Sequence, residues 1–385
     1  MAFPDYAGGG FVNLIASLAE AGGAAPRHPT LALLPPAELS GARNIVFWIV
    51  DGLGDNYLSA HRPAGHFARR RRGSISAVFP TTTASAITTS FTGATPAEHG
   101  LTGWFTYFSA AGCVAAPLPF RSRGDNLPLA ARGVSHEHLF TAPPLLDALA
   151  RRAIVVSARS IVNSIYNLHH SGNAERRAYD DLDGLVSEVA AAVRSGPERK
   201  FIYAYWPEFD TQSHRHGVAS EQARIEFERV DDAFAALLDR LAGTETAVVV
   251  TADHGFMDSP PADLLMLEDG PGLAGLLKLP LCGERRLAFC HVQDGRVAEF
   301  SARARDWLAG RGEVRASREL LDEGWFGPGR QHPLLAERIG DLTLVMNGRY
   351  TIKDWTPGES RHLHIGNHGG ATDDELLIPL VVAKT

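Results

Sequence analysis

Four short runs constrain this chain more than anything else in it: Asn44–Val50 (NIVFWIV), Ala153–Ser157 (AIVVS), Lys200–Trp206 (KFIYAYW) and Thr246–Thr251 (TAVVVT). They are close to apolar throughout rather than alternating. Each therefore predicts a strand buried on both faces, and such strands belong to parallel sheets sandwiched between helices. Helical spacing fills the gaps between them. The clearest case is Ser220–Leu241, where Phe227, Val230, Phe234, Leu237 and Leu241 recur at steps of three and four and Gly243 follows as a stop. Strands alternating with helices predict an α/β, doubly wound core with a mostly parallel central sheet and helices on both faces.

The texture changes after Phe256. Residues 258–340 are rich in Gly, Pro and Leu, with one predicted strand at Leu287–Val292 and one predicted helix at Val297–Ala309. The expectation is a small inserted α+β cap subdomain over 258–340, with residues 1–257 and 341–385 forming the catalytic core. That core resumes at Asp341 (DLTLVMNG) and ends on a strand at Leu376–Val382. The basic run Arg69–Arg72 reads as the solvated end of a helix.

Composition narrows the class. With 385 residues, 45% hydrophobic and 21% charged, the chain has ample material for a large core. A net charge of −7 gives no basic footprint for stable nucleic-acid binding. The three cysteines, Cys113, Cys282 and Cys290, have no C-x-x-C spacing and predict a reducing, cytoplasmic location. The N-terminal apolar segment Phe11–Leu18 reads as a short amphipathic helix. It lacks a basic flank and is too short to span a bilayer, so neither a signal peptide nor a transmembrane segment is expected. Oligomeric state is open.

In open α/β sheets, ligands bind beyond the carboxyl ends of the strands. There the chain carries Asp51-Gly52 after the first run and Asp210 after the third, with His214 four residues on. Asp253-His254-Gly255 follows the fourth run, and His368 stands near the C-terminus in GNHGG. One aspartate in such a place is usually a cap or turn residue. Three aspartates and three histidines on one edge make a nitrogen-and-oxygen ligand set suited to zinc or similar divalent ions. They suffice for two ions, which together clamp the attacking and leaving oxygens of an in-line displacement at phosphorus. The stretch VFPTTTASAITTSFTG, residues 78–93, then supplies hydroxyls between an apolar run and a helix. A threonine hydroxyl coordinated by a divalent cation becomes a nucleophile at neutral pH, and a helix N-terminus supports the phosphoryl group it attacks.

Taken in order, Asp51-Gly52, Phe79-Pro80-Thr81-Thr82-Thr83, the T-G-x-x-P-x-x-H-G of Thr92–Gly100, D-x-x-x-H-x-x-G from Asp210, Asp253-His254-Gly255 and His368-Gly369-Gly370 resemble the alkaline phosphatase superfamily. Within it, the chain is similar to the type I phosphodiesterase/nucleotide pyrophosphatase family over about residues 44–257 and 360–383. The resemblance implies two divalent metal ions, Zn2+ with Mn2+ as the alternative. Asp51, Thr83, Asp253 and His254 would hold one, and Asp210, His214 and His368 the other. It also implies Thr83 as nucleophile and a phosphothreonine intermediate, with Thr81 and Thr82 as local rivals.

One position departs from the pattern. Trp104 stands where the phosphodiesterases carry an asparagine that holds the phosphoryl oxygen. That contact is then expected from the Thr83 or Ala84 backbone N–H, from Asn163 or from the metals. Trp104 also opens an aromatic stretch suited to a nucleobase or aryl group. No arginine is evident as a clamp for a dianionic monoester, which favours a diester. The sequence thus predicts a two-metal phosphoric-ester hydrolase acting on a small-molecule phosphate ester. The alternatives are a phosphomonoesterase or phosphonate hydrolase of the same superfamily, and a catalytically inactive metal- or ligand-binding relative.

Overall fold

All four apolar runs are consecutive neighbours in a single seven-stranded sheet. The computed structural model describes residues 2–359 and 361–385. In chain order the sheet contains β1 (Asn44–Val50), β2 (Arg71–Ser76), β3 (Arg152–Ala158), β4 (Glu175–Tyr179), β5 (Lys200–Trp206), β6 (Thr246–Thr251) and a C-terminal strand, Leu377–Lys384. Across the sheet the order is β2, C-terminal strand, β6, β1, β5, β3, β4. The pairs β6–β1, β1–β5, β5–β3 and β3–β4 are parallel, and the C-terminal strand runs antiparallel to both its neighbours.

Adjacent residues of β1 show why its run has no polar face. The helices that matter are α1 (Phe11–Ala21), α2 (Thr83–Thr92), α3 (Leu182–Arg194), α4 (Glu208–His216) and α5 (Glu221–Arg240). Phe47 meets Tyr203 of β5, and Tyr203 stacks on Phe91 of α2 with ring centroids 4.3 Å apart. Trp48 points the other way, onto Phe67, which packs against Phe227 and Phe234 of α5. Successive side chains of a strand face opposite ways, so both faces need helical cover. Lys200, fully buried at the start of β5, is tolerated because its ammonium donates to the carbonyls of Val193, Gly196 and Glu198 at 3.0–3.2 Å. These carbonyls close the C-terminal end of α3, where a cation is favoured.

The predicted helix over 220–241 is Glu221–Arg240 with Ser220 as its N-cap. The basic run differs from expectation: Ala68–Arg70 is a single 3-10 turn and Arg71 already opens β2, its guanidinium bound to Asp55. A strand at the sheet edge, β4, and a three-stranded antiparallel sheet over 106–122 are not expected from the sequence, because ERRAY lacks an apolar run and the strands of that sheet are very short.

A second, antiparallel sheet has the order β7 (Cys282–Gly283), β8 (Leu287–Cys290), β10 (Leu342–Met346), β9 (Gly312–Ala316). Helix α6 (Val297–Leu308) packs on it through Phe300, Ala304 and Leu308. This corrects the expected boundary at Asp341. Strand β10 pairs with β8 and β9, and Thr351–Lys353 still pairs with Leu264–Met266, so the main fold is rejoined only near Gly366–Asn367, which pairs with Met257–Asp258. An apolar run such as LTLVM suits either sheet, and its partner is chosen by long-range packing. Among the described residues, no helix is long and apolar enough to cross a membrane.

A fully buried ion pair ties the small sheet to the core. Arg286, between β7 and β8, donates Nε to Glu375 Oε1 at 3.2 Å, and the Glu375 carboxylate also accepts from the Gly370 and Thr372 N–H groups. Breaking one side of a buried pair strands the other charge. Arg286→Met should therefore lower unfolding free energy by about 3–5 kcal/mol. In urea denaturation its midpoint should fall well below wild type, while Arg296→Met, at an exposed pair with Glu299, should not move it measurably.

Candidate active site

The topology delivers the predicted residues to one place. β1 and β6 are sheet neighbours, so Asp51 and Asp253-His254 leave the sheet side by side. Between them the chain must turn tightly. Gly52 has φ +77°, and a Cβ there would lie 2.5 Å from the Phe256 ring, so no other residue fits without displacing it. Asp210 and His214 share a face of α4 at i and i+4. The pairing of Asn367 with Met257 brings His368 back over the same strand ends. Thr83 is the first residue of α2, with Thr82 as N-cap.

Within this cluster, each aspartate leaves one oxygen free. Asp253 Oδ1 accepts from the Gly52 and His254 N–H groups, both at 3.0 Å, and Asp51 Oδ2 accepts from the Tyr205 hydroxyl. Asp51 Oδ1, Asp253 Oδ2 and Asp210 Oδ1 are buried without any hydrogen-bond partner. The histidines are arranged in the complementary way. Nδ1 of His254, His214 and His368 lies 2.9–3.1 Å from the carbonyls of Gly255, Gly366 and Thr81 respectively. A carbonyl accepts only, so each Nδ1 carries the proton and each Nε2 turns a lone pair inward.

These inward atoms crowd together. His254 Nε2 is 3.4 Å from Asp51 Oδ1 and 3.6 Å from Asp253 Oδ2. His214 Nε2 is 3.4 Å from Asp210 Oδ1 and 3.2 Å from His368 Nε2. Two triads, Asp51/Asp253/His254 and Asp210/His254/His368, hold their ligand atoms within 4.8 Å of one another, with His254 shared and His214 beside the second. Acceptors facing acceptors with no donor between them fit divalent cations and little else. Burial, followed by the neighbouring Asp253 charge, pushes the Asp51 and Asp210 carboxyls well above the usual range. Burial pulls His214 down to about 3 and His368 well below its ordinary value, so both imidazoles stay neutral and able to ligate.

The hydroxyls separate by their partners. Thr81 Oγ1 donates to the Gly370 carbonyl, Thr82 Oγ1 to the Glu284 carboxylate, and Ser85 Oγ to the Leu101 carbonyl. Thr83 Oγ1 faces His254 Nε2 at 3.2 Å. The Thr83 and Ala84 N–H groups open α2 and have no intrahelical acceptor. Trp104, 39% exposed, lines the same cavity, and its backbone N–H is held by Glu284 at 2.7 Å. Asn163 is corrected: it lies in an exposed turn outside the cavity lining and supplies no contact there.

The sequence reading missed the far wall. The cavity, of about 350 Å3, runs from Thr83, Asp210 and His368 to Glu284, Arg285 and Lys353. Enclosure pushes the Glu284 carboxyl up to about 7. The only local signal for this wall was the charged triplet Glu284-Arg285-Arg286 in an otherwise apolar strand pair, and nothing in it points to a threonine two hundred positions away. Two arginines, Arg123 and Arg285, also line the cavity, although neither is evident from the sequence as a clamp.

The family model for type I phosphodiesterase / nucleotide pyrophosphatase matches residues 45–371. The chain belongs to that family. It is a hydrolase of phosphoric esters in the alkaline phosphatase superfamily, a group whose members typically depend on metals. No curated protein matches it by sequence. Murine ectonucleotide pyrophosphatase / phosphodiesterase 5 shares the fold at TM-score 0.64 and 17% identity over 87% of each chain. An inactive threonine-to-alanine variant of that murine protein is solved in complex with AMP, and matches at TM-score 0.63 and 16% identity over 87% of each chain. Phosphonoacetate hydrolase from Sinorhizobium meliloti 1021, in complex with phosphonoacetate, matches at TM-score 0.64 and 19% identity, over 89% of this chain and 90% of that one.

Metal binding should register directly in stability. Saturating one site at about a thousand times its dissociation constant stabilises by about 4 kcal/mol. Zn2+ or Mn2+ added to chelator-stripped protein should raise the melting temperature by several degrees. An ion must displace protons that the raised Asp51 and Asp210 carboxyls hold, so the gain should be larger at pH 8 than at pH 5.5 in a thermal-shift series.

Proposed function

We propose that the protein is a two-metal phosphodiesterase or nucleotide-pyrophosphatase-like hydrolase of small phosphate esters, acting through a phosphothreonine intermediate on Thr83. The observation that carries this reading is the placement of the Thr83 hydroxyl against His254 Nε2 of the cluster, beside three orphaned carboxylate oxygens and further inward-facing imidazole nitrogens. Asp51, Thr83, Asp253 and His254 would hold one cation, and Asp210, His214 and His368 the other. Three carboxylates and three imidazoles favour Zn2+, with Mn2+ as the alternative. Bound there, the ions supply positive charge that acidifies the attacking hydroxyl and water and offsets charge building on the phosphoryl oxygens.

The chain's own groups do the rest. Thr83 Oγ1 gives up its proton to solvent and forms a bond to phosphorus as the ester P–O bond breaks on the opposite side, the departing oxygen taking up a proton from solvent. The Thr83 and Ala84 N–H groups at the start of α2 receive a phosphoryl oxygen, serving where Trp104 stands in for the family's asparagine. Water then adds to phosphorus, the Thr83 O–P bond breaks, and the hydroxyl recovers a proton. The inactive threonine variant of the murine neighbour, solved with AMP, supports a threonine in this role. Three free cysteines, two of them buried, suit a reducing cytoplasmic setting.

The test is paired hydrolysis of bis-p-nitrophenyl phosphate and p-nitrophenyl phosphate by metal-loaded protein. The diester should turn over faster, and chelation should abolish it. Thr83→Ala should lose at least about 10³-fold in kcat. Faster monoester turnover would move the protein to the phosphomonoesterases. No turnover by protein shown to contain both ions would overturn the enzymatic reading for these esters and favour a phosphonate substrate or a binding role.

A further inference from the structure

The wall opposite Thr83 holds three cations, Arg123, Arg285 and Lys353, and they are not partnered alike. Arg123 is locked in place: it donates to the Leu281 and Asp354 carbonyls and pairs with Asp354 and Glu359. Lys353 pairs with the same Glu359 at 3.1 Å and lies over the Trp355 ring. Arg285 differs. Among the described residues it has no carboxylate within ion-pair distance, and the side-chain hydrogen bond it makes is from Nη2 to the His362 carbonyl at 3.1 Å. Glu284 and Glu359 act on it only at a distance, and a largely enclosed guanidinium with spare donors and no direct partner is costly unless a ligand supplies one. Burial lowers both Arg285 and Lys353 from their ordinary values, and Arg285 itself lowers Lys353 further.

Its location decides what that partner is. Arg285 follows Glu284, whose carboxylate grips Thr82 Oγ1 and the Trp104 N–H beside Thr83. The Arg285 carbonyl accepts from the Ile352 N–H, which fixes it next to Lys353. Arg285 therefore faces the same cavity as Thr83 without touching the aspartate and histidine cluster.

We propose that Arg285, assisted by Lys353, is a specificity-determining subsite for a second anionic group on the substrate, a carboxylate or a further phosphoryl group on the portion not attacked by Thr83. This inference rests on the cavity being the substrate site, as proposed above. A guanidinium fork matches either anion in bidentate fashion, whereas an uncharged aryl or alkyl group would leave it unpaired.

Calorimetry on the metal-loaded full chain tests it without requiring turnover. The probes are methylphosphonate, phosphonoacetate and methylenediphosphonate. In wild type, one or both of the doubly functional anions should bind at least about tenfold tighter than methylphosphonate. Preference for phosphonoacetate identifies a carboxylate, and preference for methylenediphosphonate a second phosphoryl group. In Arg285→Gln the ratio should fall to within about twofold, while Arg285→Lys should keep part of it. Each ratio is taken within one variant, so a general loss of affinity cancels. Should Arg285→Gln not fold, Lys353→Gln should still reduce the ratio. Equal affinities in wild type, or a ratio unchanged in the folded Gln variants, would overturn the subsite. Failure to hydrolyse the nitrophenyl esters bears on the enzymatic reading alone and leaves these ratios to be judged by themselves.

Discussion

Three clustered carboxylates that repel one another, Asp51 and Asp253 buried and Asp210 half-buried, are the constraint on which the rest of this molecule depends. Asp51 and Asp253 leave adjacent strands, and Asp210 approaches from α4, so sheet topology forces like charges into one small space. Burial and mutual repulsion both favour protonation there. The fold counters this with backbone donors on one oxygen of Asp253 and a tyrosine hydroxyl on one oxygen of Asp51, while turning the remaining oxygens inward. The histidines are treated alike: their outer nitrogens are tied to carbonyls and their inner ones left bare. The apolar strands make this possible. With both sheet faces covered by helices, the strand ends are where polar chemistry meets solvent.

The small antiparallel sheet is bound to this centre through consecutive residues. Glu284 holds the turn at Thr82 and the Trp104 backbone, Arg285 faces the cavity, and Arg286 is buried against Glu375 beneath the His368 loop. One short connection between β7 and β8 therefore touches the threonine turn, the cavity and the His368 loop together. This wall brings Arg123, Arg285 and Lys353 to the cavity, where the sequence shows no evident clamping arginine.

Legibility in the sequence followed the range of the interaction. The central strands were readable because burial on both faces leaves runs such as NIVFWIV with no polar residue after the first. Helix α5 was readable from its spacing and its Ser220 cap. The residues of the cluster were readable because strand ends are where α/β sheets place ligands. Choosing among Thr81, Thr82 and Thr83 was not possible from residue types, since all three are threonine; their hydrogen bonds to Gly370, Glu284 and His254 separate them. The placement of β10 failed for a related reason: LTLVM carries no record of which sheet it joins. The hydroxyl-rich face of α2 turned out to have a structural use as well, with Thr88 bound to Tyr166, Thr89 to His99 and Ser90 to Tyr203.

The grip of Glu284 on Thr82 has one more consequence. A cap that opened like a lid would pull on the first turn of α2 and displace Thr83 from His254, so every cycle of opening would dismantle the geometry proposed for attack. The Thr82–Glu284 and Arg286–Glu375 contacts thus both tie the shape of the pocket wall to the position of the attacking threonine.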